Sequence, residues 1–334
     1  MKEMDRIKYI DFFKAIAMIL VIIGHVNFAN EPIKAWIYSF HMPAFFFCTG
    51  LVFKVSEKIS IKEKILNKFH RLILPYMLWA LLFASFTIPN FLKILYGSNW
   101  SILHAGSLTS LWFLPVMFMA LLFFYLSVRV KLAVRIINRI ILMFVFFAIA
   151  CLLPQLKVGY PWGINVAFMA FVFMLLGSIS SEQVYILYKY FHLHPKMGLI
   201  ISCLMFIILS IGTLTYHLNI PSGGYVVMKT AHYGNCGLFV LTAVFGIYML
   251  LFLSLLIELL SERGLKWMSF IGQNTLCIFV IHKPIISCFR FFFHICPMVN
   301  LLELLFTTLG TLIISCTLCI IINKYVPVLV GKSV

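Results

Sequence analysis

Apolar runs of about 20 residues recur along the chain, and short segments rich in Pro, Gly and charge separate them. A helix needs about 20 apolar residues to cross the hydrocarbon core of a bilayer, so each run predicts a membrane span. The runs fall at roughly 10–29, 36–53, 72–92, 111–128, 139–153, 164–180, 198–216, 236–257, 269–289 and 301–323. The pattern predicts an all-α, polytopic transmembrane bundle of about ten spans. No shift in composition marks a boundary, so residues 1–334 read as one integral-membrane domain with no appended soluble domain. The first run has a basic flank like that of a signal peptide, but no small-residue cleavage site follows it, and it reads as a retained span.

Composition sharpens this reading. With 63% hydrophobic and 11% charged residues, and a mean hydropathy of +1.05, the chain has too few charges to cover a soluble surface. Its net charge of +16 would suit nucleic acid, yet the cations sit in alternate connections rather than on one face. With the N-terminus inside, 20 of the 26 Lys and Arg residues fall on the inner side, including Lys2, Arg6, Lys54, Lys58, Lys62, Lys64, Lys68, Arg71 and Arg263. That is the positive-inside pattern, and it predicts an even number of spans with both termini cytoplasmic. Nucleic acid is excluded as a partner; membrane lipid is expected. The lysines from Lys54 to Lys68 have a plain reading as topology-setting charge and contacts to anionic lipid.

Polar residues inside the spans then select the chemistry. Asp11, Lys14 and His25 interrupt the first run. At about 100° per residue, Lys14 and His25 lie some 20° apart around a helix, and Asp11 about 40° from His25. One face therefore carries all three, and lipid exposure of Asp or Lys there costs about 2.5–3.5 kcal/mol, so it faces the bundle interior or a wet cavity. Asp11 precedes Lys14 by one turn, which suits an ion pair that makes two buried charges tolerable. His41 opens the second run, and His282 lies toward the outer end of the ninth. Each reads either as part of an outer reaction layer with His25 or as a helix-end packing residue. Eight of the nine cysteines lie in or beside apolar runs, Cys296 alone being loop-borne, so no disulfide framework is expected. Cys316–Cys319 has CxxC spacing inside a Leu/Ile-rich run and reads as packing. No metal site is expected, and the phosphate-loop, GxGxxG, HExxH and GxSxG motifs do not occur. Trp100, Trp112, Tyr160 and Trp162 read as interfacial aromatics.

Lys14, ten residues and His25 resemble the R/K-x10-H signature in the first span of the acyltransferase 3 family. Further family-like pieces follow in order: His41-Met-Pro-Ala-Phe-Phe-Phe-Cys-Thr-Gly50, Arg71-Leu-Ile-Leu-Pro-Tyr76, Leu111-Trp-Phe-Leu-Pro115, Phe173-Met-Leu-Leu-Gly177 and Ile271-Gly-Gln-Asn-Thr-Leu276, leading to His282. The resemblance implies a bacterial cytoplasmic-membrane enzyme that uses acetyl- or acyl-CoA to O-acylate sugars of cell-envelope or capsular polysaccharides or their lipid-linked precursors. The chain departs from the pattern at Phe69-His70-Arg71, where some members carry Arg-x-Arg, and the extracytoplasmic hydrolase-like domain that some members append is not expected here.

On that resemblance His25 is the expected catalytic group, as general base or acyl relay, with Asp11 and Lys14 beside it on the face. Lys14, Arg71 and Lys68 are the expected acyl-CoA contacts. The outer-layer acceptor candidates are His41, His282 and Tyr225, the last within the loop 216–235 that also holds His217, Asn219, Ser222, Gly223, Gly224 and His232. The competing reading is a flippase or carrier for a lipid-linked glycan. Transporters often show repeated halves, and no clear repeat relates residues 1–165 to 166–334.

Overall fold

The computed structural model describes residues 8–26, 31–53, 60–133, 135–217, 225–261, 265–295 and 299–332. Lys2, Arg6, Lys54, Lys58, Asn219, Ser222, Gly223, Gly224, Arg263 and Cys296, all singled out above, lie outside them. Each apolar run is helical over most of its described residues. The helices are α1 (Lys8–His25), α2 (Glu31–Tyr38), α3 (His41–Leu51), α4 (Ile61–Lys68), α5 (Leu74–Phe83), α6 (Ile88–Tyr96), α7 (Asn99–His104) and α8 (Phe113–Arg129), followed by α9 (Ile136–Leu152), α10 (Ile164–Leu193), α11 (Pro195–His217), α12 (Cys236–Leu260), α13 (Lys266–Gln273), α14 (Thr275–Ile295) and α15 (Asn300–Tyr325). Among the described residues the only β-type pairing is an isolated bridge between Val227 and His232.

Among the described residues, six helical stretches are long and apolar enough to cross a membrane: Thr109–Arg129, Pro161–Leu193, Pro195–Leu214, Cys236–Leu260, Thr275–Ile295 and Asn300–Tyr325. The ten-run reading meets this smaller number for identifiable reasons. Three runs bridge a helix break, of which the third still leaves a helix of spanning length, Thr275–Ile295. The run 36–53 divides at Ser39–Phe40, between α2 and α3. The run 72–92 divides after Phe83, and Thr87 caps α6 by accepting the Asn90 amide, with Pro inside the first turn. The run 269–289 divides at Asn274, whose side-chain amide donates to the Phe270 carbonyl at 2.8 Å. Helix α1 carries Lys8, Asp11 and Lys14, and α9 has 17 residues.

Contacts group the chain into two compact units. The first comprises Met1–Cys48, Ser181–Val226 and Tyr233–Cys319. Within it α1 is central: Phe12, Ala15, Ala17, Met18, Val21 and Ile22 are fully enclosed, and the helix packs on α13, α12 and α14. The approach of α13 is backbone to backbone, since a Cβ on Gly272 would stand 2.0 Å from the Asp11 carbonyl oxygen. Helices α11 and α12 pack along their lengths, with Gly212 against the Phe245 ring. Trp36 ties α2 to α11 by donating to Thr213 Oγ1 at 2.7 Å. Phe45, Phe46 and Phe47 are buried packing residues, whereas Phe291 and Phe292 are exposed, as lipid-facing residues would be.

The second unit comprises Thr49–Ser180, Val227–His232 and Ile320–Val334. Its helix α4 begins with a capping box, Ser60 accepting the Glu63 amide while the Glu63 carboxylate accepts the Ser60 amide. The chain then widens into a π turn over Phe69–Ile73 before α5. Pro75 brings no amide hydrogen to this turn, which favours departure from the α ladder. Phe123, Phe146, Phe168 and Phe171 form an aromatic core, and Arg139 of α9 donates to Ser178 Oγ and its carbonyl at 2.8 and 3.1 Å. Trp112 is buried rather than interfacial, because it ends the 3-10 turn leading into α8. Trp162 packs edge-on to Phe118 and donates to the Leu95 carbonyl at 2.8 Å.

Candidate functional site

Helix α1 presents two polar groupings in the first unit, at its two ends. At the Lys8 end, Lys14 Nζ lies 3.0 Å from Asp11 Oδ1, which forms the ion pair expected from the one-turn spacing. Asp11 is buried, and Gln273 Nε2 of α13 donates to its other oxygen at 3.4 Å. The Tyr9 and Tyr188 rings stand 5.1 Å apart close by, and Tyr188 donates to Glu258 Oε1 at 3.4 Å. Gln273 enters the sequence reading only as part of the piece Ile271-Gly-Gln-Asn-Thr-Leu276, with no role given to it, and Tyr188 and Glu258 do not enter it, because nothing in their local sequence distinguishes them from other helix-end polar residues.

Removing one member of the Asp11–Lys14 pair strands a charge. Lys14→Met is expected to destabilise the protein by about 1–3 kcal/mol, below the figure for a fully buried pair because Lys14 keeps partial solvent contact. The double variant Asp11→Asn/Lys14→Met is expected to recover part of that loss. Melting temperatures of wild type, Lys14→Met, Asp11→Asn and the double variant in one detergent measure the coupling, and simple additivity would show that the pair does not interact.

At the other end, eleven residues and about 16 Å along the axis from Lys14, His25 meets two further histidines through aromatic contacts. The His25 and His282 rings stand edge-on, 5.1 Å between centroids and 89° between planes. Tyr38 stacks against His25 at 5.9 Å and contacts His41 and Tyr225, each at 4.9 Å. The four sequence-derived candidates His25, His41, His282 and Tyr225 therefore come together, from α1, α3, α14 and the segment just before the Val227 bridge. Tyr38 is the hub that the sequence reading missed; its only signal is a position one turn before His41.

The three imidazoles share one hydrogen-bonding arrangement. His25 Nδ1 lies 2.8 Å from the Val21 carbonyl, His41 Nδ1 2.7 Å from the Ile37 carbonyl, and His282 Nδ1 2.7 Å from the Phe279 carbonyl. A carbonyl only accepts, so Nδ1 carries the proton in each ring and Nε2 is left as the basic atom. His41 and His282 are buried, whereas His25 remains partly accessible. The Lys283 ammonium lies close enough to His25 and His282 to act on both electrostatically. Such a group can take a proton from a hydroxyl at His25 Nε2. Among the described residues no group of three or more His, Cys, Asp or Glu side chains is placed to hold a metal ion. Nor does a disulfide join the described cysteines.

Arg71 and Lys68 belong to the second unit, where Arg71 is exposed within the π turn. Burial, and after it the neighbouring Arg71 guanidinium, push the Lys68 ammonium below its ordinary pKa. Two cations one turn apart repel, and an anion between them offsets that repulsion. The Arg71 backbone is covered by the C-terminal segment, since a Cβ on Gly331 would stand 2.3 Å from the Arg71 carbonyl oxygen.

Comparison with curated proteins gives no significant match. The family profile described as an acyltransferase domain, that of the acyltransferase 3 family, matches residues 7–320. That span takes in α1 with Lys14 and His25, the Arg71 turn, and α14 with His282. The chain therefore belongs to the acyltransferase 3 family of membrane acyltransferases.

Proposed function

We propose that this acyltransferase is an O-acyltransferase, moving an acetyl or short acyl group from acyl-CoA to a hydroxyl of an envelope or capsular glycan or of its lipid-linked precursor. The observation that carries this reading is the 2.8 Å contact of His25 Nδ1 with the Val21 carbonyl, which leaves Nε2 as the basic atom of a partly accessible side chain at the centre of the aromatic and imidazole group. In the proposed reaction His25 Nε2 removes the proton of the acceptor hydroxyl, the oxygen attacks the thioester carbonyl, and the C–S bond breaks as the ester C–O bond forms. CoA leaves as a thiolate that takes up one proton. Tyr38 and Tyr225 offer aromatic faces for a sugar ring at the acceptor position. Arg71 and Lys68 supply the charge that a CoA phosphate requires, the guanidinium by paired donors and the ammonium as a point charge. The reaction site is assigned to the outer leaflet and the cationic pair to the cytoplasmic side, in accord with the charge distribution along the sequence.

The test is release of free CoA thiol from acetyl-CoA by purified protein in nanodiscs, with an envelope glycan extract as acceptor. Thiol release in step with esterified glycan is expected. Glycan movement between leaflets with no thioester consumed would overturn the reading in favour of a carrier. In the same assay Arg71→Ala is expected to raise the donor KM about tenfold or more while kcat falls less, as loss of a charge-assisted phosphate contact worth about 1.5–3 kcal/mol requires.

A further inference from the structure

The inward face of α15 is the polar one. Glu303, Thr307, Thr308, Thr311, Ser315 and Cys319 are buried, while Leu301, Leu305, Leu309, Ile313 and Ile320 are exposed. Small hydroxyl residues often serve only to let membrane helices approach, but here their hydrogen bonding differs from that role. Thr317, on the exposed side, donates to the Ile313 carbonyl of its own helix at 3.0 Å. Thr308 Oγ1, Thr311 Oγ1 and Ser315 Oγ, all buried, have no hydrogen-bond partner among the described residues. Three orphaned hydroxyls within two turns are costly in a dry interior.

A fourth orphan stands on the neighbouring helix α14. Gly310 of α15 meets the Phe289 ring of α14, and Cys316 lies near Cys277, so the two helices run antiparallel. His282 lies between Cys277 and Phe289 on α14, opposite the stretch from Gly310 to Cys316 that holds Thr311 and Ser315. His282 Nε2 is buried and likewise has no hydrogen-bond partner among the described residues. A buried water needs two to four polar partners, and this stretch offers acceptors on the imidazole and donor–acceptor hydroxyls on the facing helix. From Ser315 to the Glu303 carboxyl the helix spans about 18 Å, a large part of the hydrocarbon thickness.

We propose that Thr308, Thr311, Ser315 and His282 hold an internal file of water molecules that carries protons between Glu303 and the His25–His282 pair. The file gives the reaction a second proton exit. His25 receives one proton from the attacking hydroxyl, the departing thiolate takes one from water, and the proton on His25 passes through His282 and the file to the Glu303 end. One proton is consumed and one is released, so the overall acyl transfer stays balanced. This use of the file rests on the role proposed for His25; the presence of water does not.

Cysteine substitution with mass-spectrometric readout tests the water first. The thiolate is the reactive form, so a water-soluble methanethiosulfonate labels a cysteine beside water and spares one in a dry contact. Thr311→Cys and Ser315→Cys are expected to label at least about tenfold faster than Ile313→Cys, which faces away. Labelling as slow as that of Ile313→Cys at both positions overturns the file. If the cysteine variants do not accumulate in membranes, Thr311→Val/Ser315→Ala decides instead. A several-fold fall in kcat with unchanged donor KM supports the file, and unchanged kcat overturns it. Labelling is read without turnover, so it distinguishes failure of the file from failure of the reaction proposed for His25.

Discussion

Replacement of His25 by glutamine is expected to lower kcat for acyl transfer by about 10²–10⁴-fold, the range associated with loss of a general base. Glutamine keeps a polar side chain able to accept a hydrogen bond, but it cannot take a proton, so it separates orientation of the acceptor from its activation. His25→Ala is expected to lose as much and to weaken acceptor binding as well, because the ring that stacks on Tyr38 is gone. In both variants the donor KM should stay within about twofold of wild type, since the cationic contacts proposed for CoA lie elsewhere. Rapid quenching with labelled acetyl-CoA and no acceptor then distinguishes two routes. Stoichiometric label on wild-type protein, absent from His25→Gln, identifies an acyl-imidazole relay; no label leaves His25 as the base. Wild-type turnover in His25→Gln would remove this imidazole from the chemistry.

The second large effect is on folding. Gly272→Ala places a Cβ 2.0 Å from the Asp11 carbonyl oxygen, where both sides of the contact are backbone and neither can change rotamer. Helices α13 and α1 must separate by about 1 Å or more, and the overpacking cost is about 1–3 kcal/mol, to which weaker packing along the rest of the seam adds. The Gln273–Asp11 hydrogen bond, already 3.4 Å long, should break with it. A sharply lower melting temperature and reduced membrane accumulation are expected. Gly106→Ala is the control, since its φ of +75° strains an alanine while no atom lies within 4 Å of the new Cβ. It should cost about 1–2 kcal/mol from backbone conformation alone. Equal effects would show that the α1–α13 contact is not tight.

The parts of this fold legible in the sequence are those governed by apolar periodicity. Ten runs became helices because burial in lipid or protein favours them at almost every position. Their interruptions were less legible, since Asn274 ends a helix by bonding to Phe270, a local event that an apolar average over twenty residues conceals. The site divides in the same way. His25, Asp11 and Lys14 stood out because ionisable groups in an apolar run need a partner, and the 3.0 Å Asp11–Lys14 contact follows from one-turn spacing. The convergence of His41 and Tyr225 on Tyr38, and of His282 on His25, depends on how α3 and α14 approach α1, and helix approach leaves no periodic trace. The hydroxyl face of α15 was hidden for a related reason: Thr and Ser lower the hydropathy of a run only slightly, and whether they point inward is decided by packing.

The widened turn at Phe69–Ile73 bears on how this part of the chain tolerates insertion and deletion. A π turn holds one residue more than an α turn in the same ladder. A relative shorter by one residue here can close an ordinary α turn, keeping the helices on either side in register with their neighbours, while the residue in the place of Arg71 turns by about 100° around the axis. Length variation at this point therefore re-aims a cation without disturbing the bundle, and a gap beside the Arg71 position in an alignment marks a change of direction rather than the loss of a helix.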